Sequence, residues 1–109
     1  MITRLAFFEG AIKPGKEAEF EAYVVERLVP LWTRFPNVTR VQVMREVSRD
    51  EGAPAFPLML AVTYTDAAGM EEAMVSPVRM ESREVTKGLF EFFEGRIFHV
   101  NGSTLHLMA

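Results

Sequence analysis

Three side chains combine a polar, reactive type with apolar neighbours. Arg45 lies in "VTRVQVMREV", residues 38–47, and shares its alternation with Val41, Val43 and Val47. An arginine on an apolar strand face must be paired, or aimed at a ligand's anion or carbonyl. Its internal candidates are Glu46, Glu9 or a helix glutamate. Tyr64 ends the apolar side of "LMLAVTYT", residues 58–65. Its hydroxyl can hydrogen-bond a substrate oxygen, or simply reach water at the strand end. His99, in "RIFHVNG", is the only histidine within an expected strand and a natural general base near neutral pH. Its face is ambiguous: if Phe98 and Val100 face the helices, His99 points into a dimer interface and is structural. In a catalytic reading Arg45 stabilises developing negative charge, and Tyr64 or His99 moves a proton.

Other chemistries fail on counts. Two histidines seven residues apart, His99 and His106, with no cysteine and no His-Glu-x-x-His string, make a weak metal site. Gly-x-Ser-x-Gly, Gly-x-Gly-x-x-Gly and P-loop strings are all missing, so neither a metal nor a phosphate-bearing cofactor is expected. A net charge of −3 argues against a nucleic-acid binder. No apolar run approaches the length of a membrane span. Nothing resembles a signal peptide, because Arg4 and Glu9 interrupt the short apolar stretch of "MITRLAFFEGAIKPGKE". The expectation is a cytoplasmic protein.

The elements that must position these groups follow from periodicity. The 109 residues, 49% hydrophobic, predict one globular domain over 1–109 with apolar surface left over for a partner. "ITRLAFFEGAI", 2–12, reads as a strand. Phe20, Val24, Leu28, Leu31 and Phe35 form one helical stripe over Glu17–Phe35, and Pro36 closes it. Strands follow at 38–47 and 58–65. Thr65 or Asp66 caps a short helix, "AAGMEEAMV". Ser76-Pro77 opens another, running to Phe93 with Val78, Val85, Leu89 and Phe92 or Phe93 on its stripe and Gly95 as its end. "RIFHVNG" is the fourth strand, and "STLHLMA" a tail that again alternates. The order β-α-β-β-α-β is the ferredoxin-like α+β plan: a four-stranded antiparallel sheet with both helices on one face. The alternation leaves Ala6, Phe8, Met44, Met59 and Ala61 on the other face, an apolar patch that a second copy would cover in a twofold dimer.

Pro30 breaks a rule. Inside a regular helix a proline costs roughly 3 kcal/mol, because it removes a donor and clashes with the preceding turn. Here it frees the Glu26 carbonyl and kinks the helix. The last turn could splay from the sheet, leaving a gap walled by Leu31, Trp32 and Phe35, with Arg45 and Tyr64 reaching in from the strands. The alternative is a kink that only shapes the helix around its core.

The strings "YVVERLVPLWTRFPNVTRVQV" at 23–43, "VTYTDAAGMEEAMVSP" at 62–77 and "FEGRIFHV" at 93–100 resemble the EthD-like proteins of the dimeric α+β barrel superfamily, over nearly the whole chain. That resemblance implies a homodimer paired through the sheet face. It also implies a cofactor-independent protein for a hydrophobic or aromatic small molecule, of isomerase, cyclase or monooxygenase type if catalytic. The alternative is a non-catalytic binding or structural homodimer. One departure matters. The histidine of a His-x-Pro-Leu pattern on the first helix is replaced here by Leu28 in "LVPL", so an acid–base role at that position does not transfer.

Overall fold

The computed structural model describes residues 1–109. β1 (Ile2–Ile12), β2 (Val38–Arg45), β3 (Leu58–Tyr64) and β4 (Phe93–Ser103) form one antiparallel sheet in the order β2-β3-β1-β4. With helices in both crossovers, this is the ferredoxin-like arrangement expected from the element order. No helix is long and apolar enough to cross a membrane.

The first crossover is where Pro30 acts. The chain runs as α1 (Glu17–Tyr23), a π-helical turn (Val24–Leu28) and α2 (Val29–Trp32). The Val29 N–H bonds the Val24 carbonyl, five residues back, instead of four. The wider turn inserts a residue ahead of the proline, so Pro30 falls in the first turn of α2, where a missing N–H is tolerated. The stripe survives the change of pitch: Phe20, Val24, Leu28, Leu31 and Phe35 are all buried.

The second crossover starts on two side-chain caps. The Asp66 carboxylate accepts from the Gly69 N–H at 2.8 Å and opens α3 (Ala67–Met74). Ser76 Oγ accepts from the Arg79 N–H at 3.3 Å and opens α4 (Pro77–Lys87), with Pro77 at its first position. A 3₁₀ turn (Gly88–Glu91) then leads into β4. Gly95, expected to end that helix, lies within β4 opposite Gly10 of β1. At φ 158° and 146° the two backbones approach so closely that a Cβ on Gly95 would collide with the Glu9 carbonyl. The tail beyond Thr104 forms no strand, and Leu105, Leu107 and Met108 are exposed.

The core lies between the helices and one face of the sheet. Phe8, Leu58, Leu60, Val62 and Tyr64 meet Phe20, Val24, Leu28, Leu89 and Phe93, all buried. The expectation that Ala6 and Phe8 face outward is corrected here. Ala6 pairs with Leu60 and Phe8 with Leu58, so both point toward the helices, and both are buried. β1 is apolar at both parities, so side-chain type could not choose its inner face; cross-strand pairing does. Leu5 and Phe7 take the outer face instead, in register with Ala61 and Met59. There Phe7 stacks on Phe98 at 5.3 Å between ring centroids, and Phe56 packs on Phe7 at 5.1 Å. No helix of the chain covers these rings.

Candidate functional site

A cavity of about 960 Å³ opens between the sheet and α4. Its floor is the helix-facing side of the three strands β3, β1 and β4. Two rows of cross-strand neighbours make most of it: Leu60–Ala6–His99, then Val62–Arg4. Ala6 is the smallest side chain of its row, and β4 contributes the bare backbone of Gly95 beside Ile97. Small residues on the strands keep space open under the helix. Trp32 and Phe35, placed by α2 and the chain just beyond it, close one wall. α4 supplies the other, with Arg79, Ser82, Arg83 and Thr86. Met80 and Phe90 stand at the wall partly exposed, which gives the mouth an apolar rim.

Tyr64 is fully buried against this cavity, and its hydroxyl has no hydrogen-bond partner. A buried hydroxyl left unpaired is unfavourable by about 1–3 kcal/mol, so such groups are rare in native folds. Burial pushes its pKa above 10, and Arg4 and Arg79 partly oppose that rise. The phenol is therefore neutral at physiological pH and able to donate a hydrogen bond. His99 lines the same cavity from the edge strand β4, on the helix side of the sheet, in register with Ala6. That resolves its face: Phe98 and Val100 point outward. Burial, then the positive fields of Arg4 and Arg79, lower its pKa from 6.5 to about 4. Because β4 is an edge and the ring stays partly exposed there, water softens the burial contribution, while the arginine fields persist. His99 is neutral at pH 7, with one ring nitrogen free to accept a proton.

The residues singled out from the sequence divide. Tyr64, His99, Trp32 and Phe35 come together at the cavity. Leu31 is buried but does not line it. Arg45 stands elsewhere: its guanidinium is largely exposed and donates to the Glu21 carboxylate of α1 at 3.0 Å. β2 is the other edge of the sheet and Arg45 is its last residue, so its side chain runs out to water and a helix glutamate instead of into the core.

Arginines are present in the cavity, but not that one. Arg4, half-buried, donates to Asn101 Oδ1 at 3.0 Å, and Arg79, half-buried, donates to the Met74 carbonyl at 3.2 Å. Desolvation lowers the pKa of each, and both remain cations. The alternation that singles out Arg45 applies equally to Arg4, which shares the parity of Ala6 and Phe8 in "ITRLAFF". For Arg79 the signal is its spacing with Ser82, Arg83 and Thr86, a polar stripe on α4 beside the apolar one. Clusters of three or more His, Cys, Asp or Glu side chains that could hold a metal are not formed.

Solved structures place the fold among known proteins. An EthD family protein from Bacillus halodurans superposes with a TM-score of 0.74 at 21% identity, covering 96% of this chain and 99% of that one. SnoaB, a cofactor-independent oxygenase from Streptomyces nogalater, gives 0.67 at 19% identity over 98% and 95%. A putative antibiotic biosynthesis monooxygenase from Bordetella bronchiseptica gives 0.65 at 23% over 96% and 97%. A dabb family protein with a ferredoxin-like fold, from Mesorhizobium loti, is also similar, at 0.70 and 13% over 96% and 97%. The chain thus shares the ferredoxin-like fold of these structures over nearly its whole length. No protein-family model matches it, and no match is found among curated protein sequences.

Proposed function

We propose that this chain binds a flat, hydrophobic small molecule between its sheet and helices α2 and α4, and transfers a proton on it without a cofactor. The observation that carries this reading is the buried, unpartnered Tyr64 hydroxyl at a cavity that also holds a neutral histidine. A fold tolerates such an orphan where a ligand oxygen completes it. Tyr64 donates to a carbonyl oxygen of the ligand. His99 accepts a proton from the carbon or phenol next to that carbonyl. Arg4 and Arg79 face the enolate charge that develops, and take the role that the sequence suggested for Arg45. Isomerase, cyclase and oxygenase chemistry on activated aromatic compounds all begin from such an anion. The oxygenase names among the structural relatives are compatible with that class.

One observation favours a second reading, a non-catalytic binding protein. A histidine held to about 4 is a weak base at pH 7, a strong one only if binding raises it. Trp32, the only tryptophan, stands in the cavity wall and reports on both readings. Titration with flat hydrophobic ketones and quinones should quench its emission saturably. If His99→Gln still binds but turnover vanishes, the enzyme reading holds. If no compound turns over in the unaltered protein, the binding reading stands. Absence of saturable quenching by any compound would remove both.

The outer aromatic face supports a homodimer through the sheet. Phe7, Phe56 and Phe98 form an apolar cluster there, with Val100 and Met44 partly exposed beside it. Light scattering at micromolar concentration should return twice the chain mass, and Phe98→Glu should return the single chain.

A further inference from the structure

We infer that the molecule this cavity takes is an anion, an apolar aromatic body bearing a carboxylate that Arg79 and Arg83 of α4 hold together with Arg4 of β1. This rests on the preceding reading that the cavity binds a small molecule, and adds the ligand's charge.

The argument is one of unbalanced charge. The chain carries a net charge of −3, yet five cationic side chains line the cavity against one carboxylate, Glu84. Glu84 is matched by Lys87 at 2.9 Å, and Arg96 is matched by Glu9 at 2.7 Å. Arg4, Arg79 and Arg83 remain. None of the chain's five ion pairs includes any of them. Arg4 and Arg79 bond only to neutral oxygens, and the Arg83 guanidinium makes no hydrogen bond within the chain. Arg79 and Arg83 are four apart on α4, a like-charge spacing that weakens a helix. Their repulsion is felt: after desolvation, Arg83 and then Arg4 are the next causes lowering the Arg79 pKa. A protein with acidic side chains in excess has left three guanidinium groups facing one cavity with no internal counterion. Low-dielectric surroundings, Phe8, Leu60 and Val62 on the sheet floor beside Arg4 and Trp32 in the wall, focus that potential inward. A planar fork matches a carboxylate in two-point geometry, and the Tyr64 hydroxyl adds a buried donor nearby. The volume suits one aromatic acid of ordinary drug size.

Calorimetric titration with 2-naphthoate and with its neutral isostere 2-naphthamide tests this. The expected result is naphthoate binding at least roughly tenfold tighter than the amide, with the difference shrinking severalfold between about 50 and about 500 mM salt. Arg83 is exposed, so Arg83→Gln should fold unchanged; it should lower naphthoate affinity severalfold and leave the amide untouched. Arg45→Gln, away from the cavity, should alter neither. Equal affinity of acid and amide, or an Arg83→Gln protein that still prefers the acid to the same extent, would overturn the anion assignment while leaving the small-molecule reading intact. Failure of both probes, together with no Trp32 response to any neutral compound, would overturn the small-molecule reading itself.

Discussion

Tyr64→Phe sets stability against function at a single atom. The substitution keeps the ring that packs among the core residues and removes only the hydroxyl, which is buried without a partner. Within the chain that hydroxyl makes no hydrogen bond, a deficit of about 1–3 kcal/mol for a buried polar group. The variant should therefore be more stable by about that amount. For a domain of this size each kcal/mol moves Tm by roughly 4–8 °C. Urea denaturation should show a higher midpoint at unchanged slope, because the surface exposed on unfolding barely changes. Ligand binding or turnover should fall, since the lost donor to a charged or strongly polar oxygen contributes about 1.5–3 kcal/mol, roughly ten- to a hundredfold. Both proteins must be compared at one concentration, because association would shift the midpoint by mass action. A variant destabilised by more than about 1 kcal/mol would refute the reasoning: it would mean that the hydroxyl is bonded in the ligand-free state and is part of the scaffold.

His99 makes stability depend on pH with a defined sign. Its folded pKa is depressed to about 4 from 6.5, so the unfolded chain binds the extra proton between those values. Its contribution is complete above pH 6.5 and fades as pH falls toward 4; His99→Gln should flatten that part of the urea midpoint–pH curve, and an unchanged curve would argue against the depression. Pro30→Ala should change stability by less than about 1 kcal/mol, because the π turn already places the proline in a first helical turn; a gain near roughly 3 kcal/mol in the same denaturation assay would mean that it strains a helix interior. Gly95→Ala should destabilise by several kcal/mol or abolish folding, through collision with the Glu9 carbonyl at a backbone angle that L residues rarely adopt, and circular dichroism with thermal melting measures it.

Much of the architecture was legible along the chain. The stripe from Phe20 to Phe35, a cap at Thr65 or Asp66 and one at Ser76, and strands at 2–12, 38–47 and 58–65 follow from local periodicity and capping chemistry; the structure ends the latter two strands at Arg45 and Tyr64 and puts the first cap on Asp66. Pro30 marked the irregular helix correctly, although a kink was the expected form and a π turn the observed one. The site was legible only in part. Tyr64, His99, Trp32 and Phe35 line the cavity; Leu31 and Arg45 do not, and Arg4, Arg79 and Arg83 went unnoticed.

The contrast between Arg4 and Arg45 shows why. Both sit at the inward parity of an apolar strand, and by sequence they are equivalent. Arg4 is on the interior strand β1, flanked by β3 and β4, with α4 standing over the floor it helps to form. Arg45 ends the edge strand β2 and meets water and Glu21. Likewise the alternation of Phe98, His99 and Val100 put His99 opposite its neighbours, but only its pairing with Ala6 told which side was covered. Amino-acid type and spacing determine which residues share a face, because they act through the local geometry of one helix or strand. Which face is roofed, and which charges are left facing a void, depends on pairing between segments as far apart as Ala6 and His99, and only the assembled sheet and helices decide it.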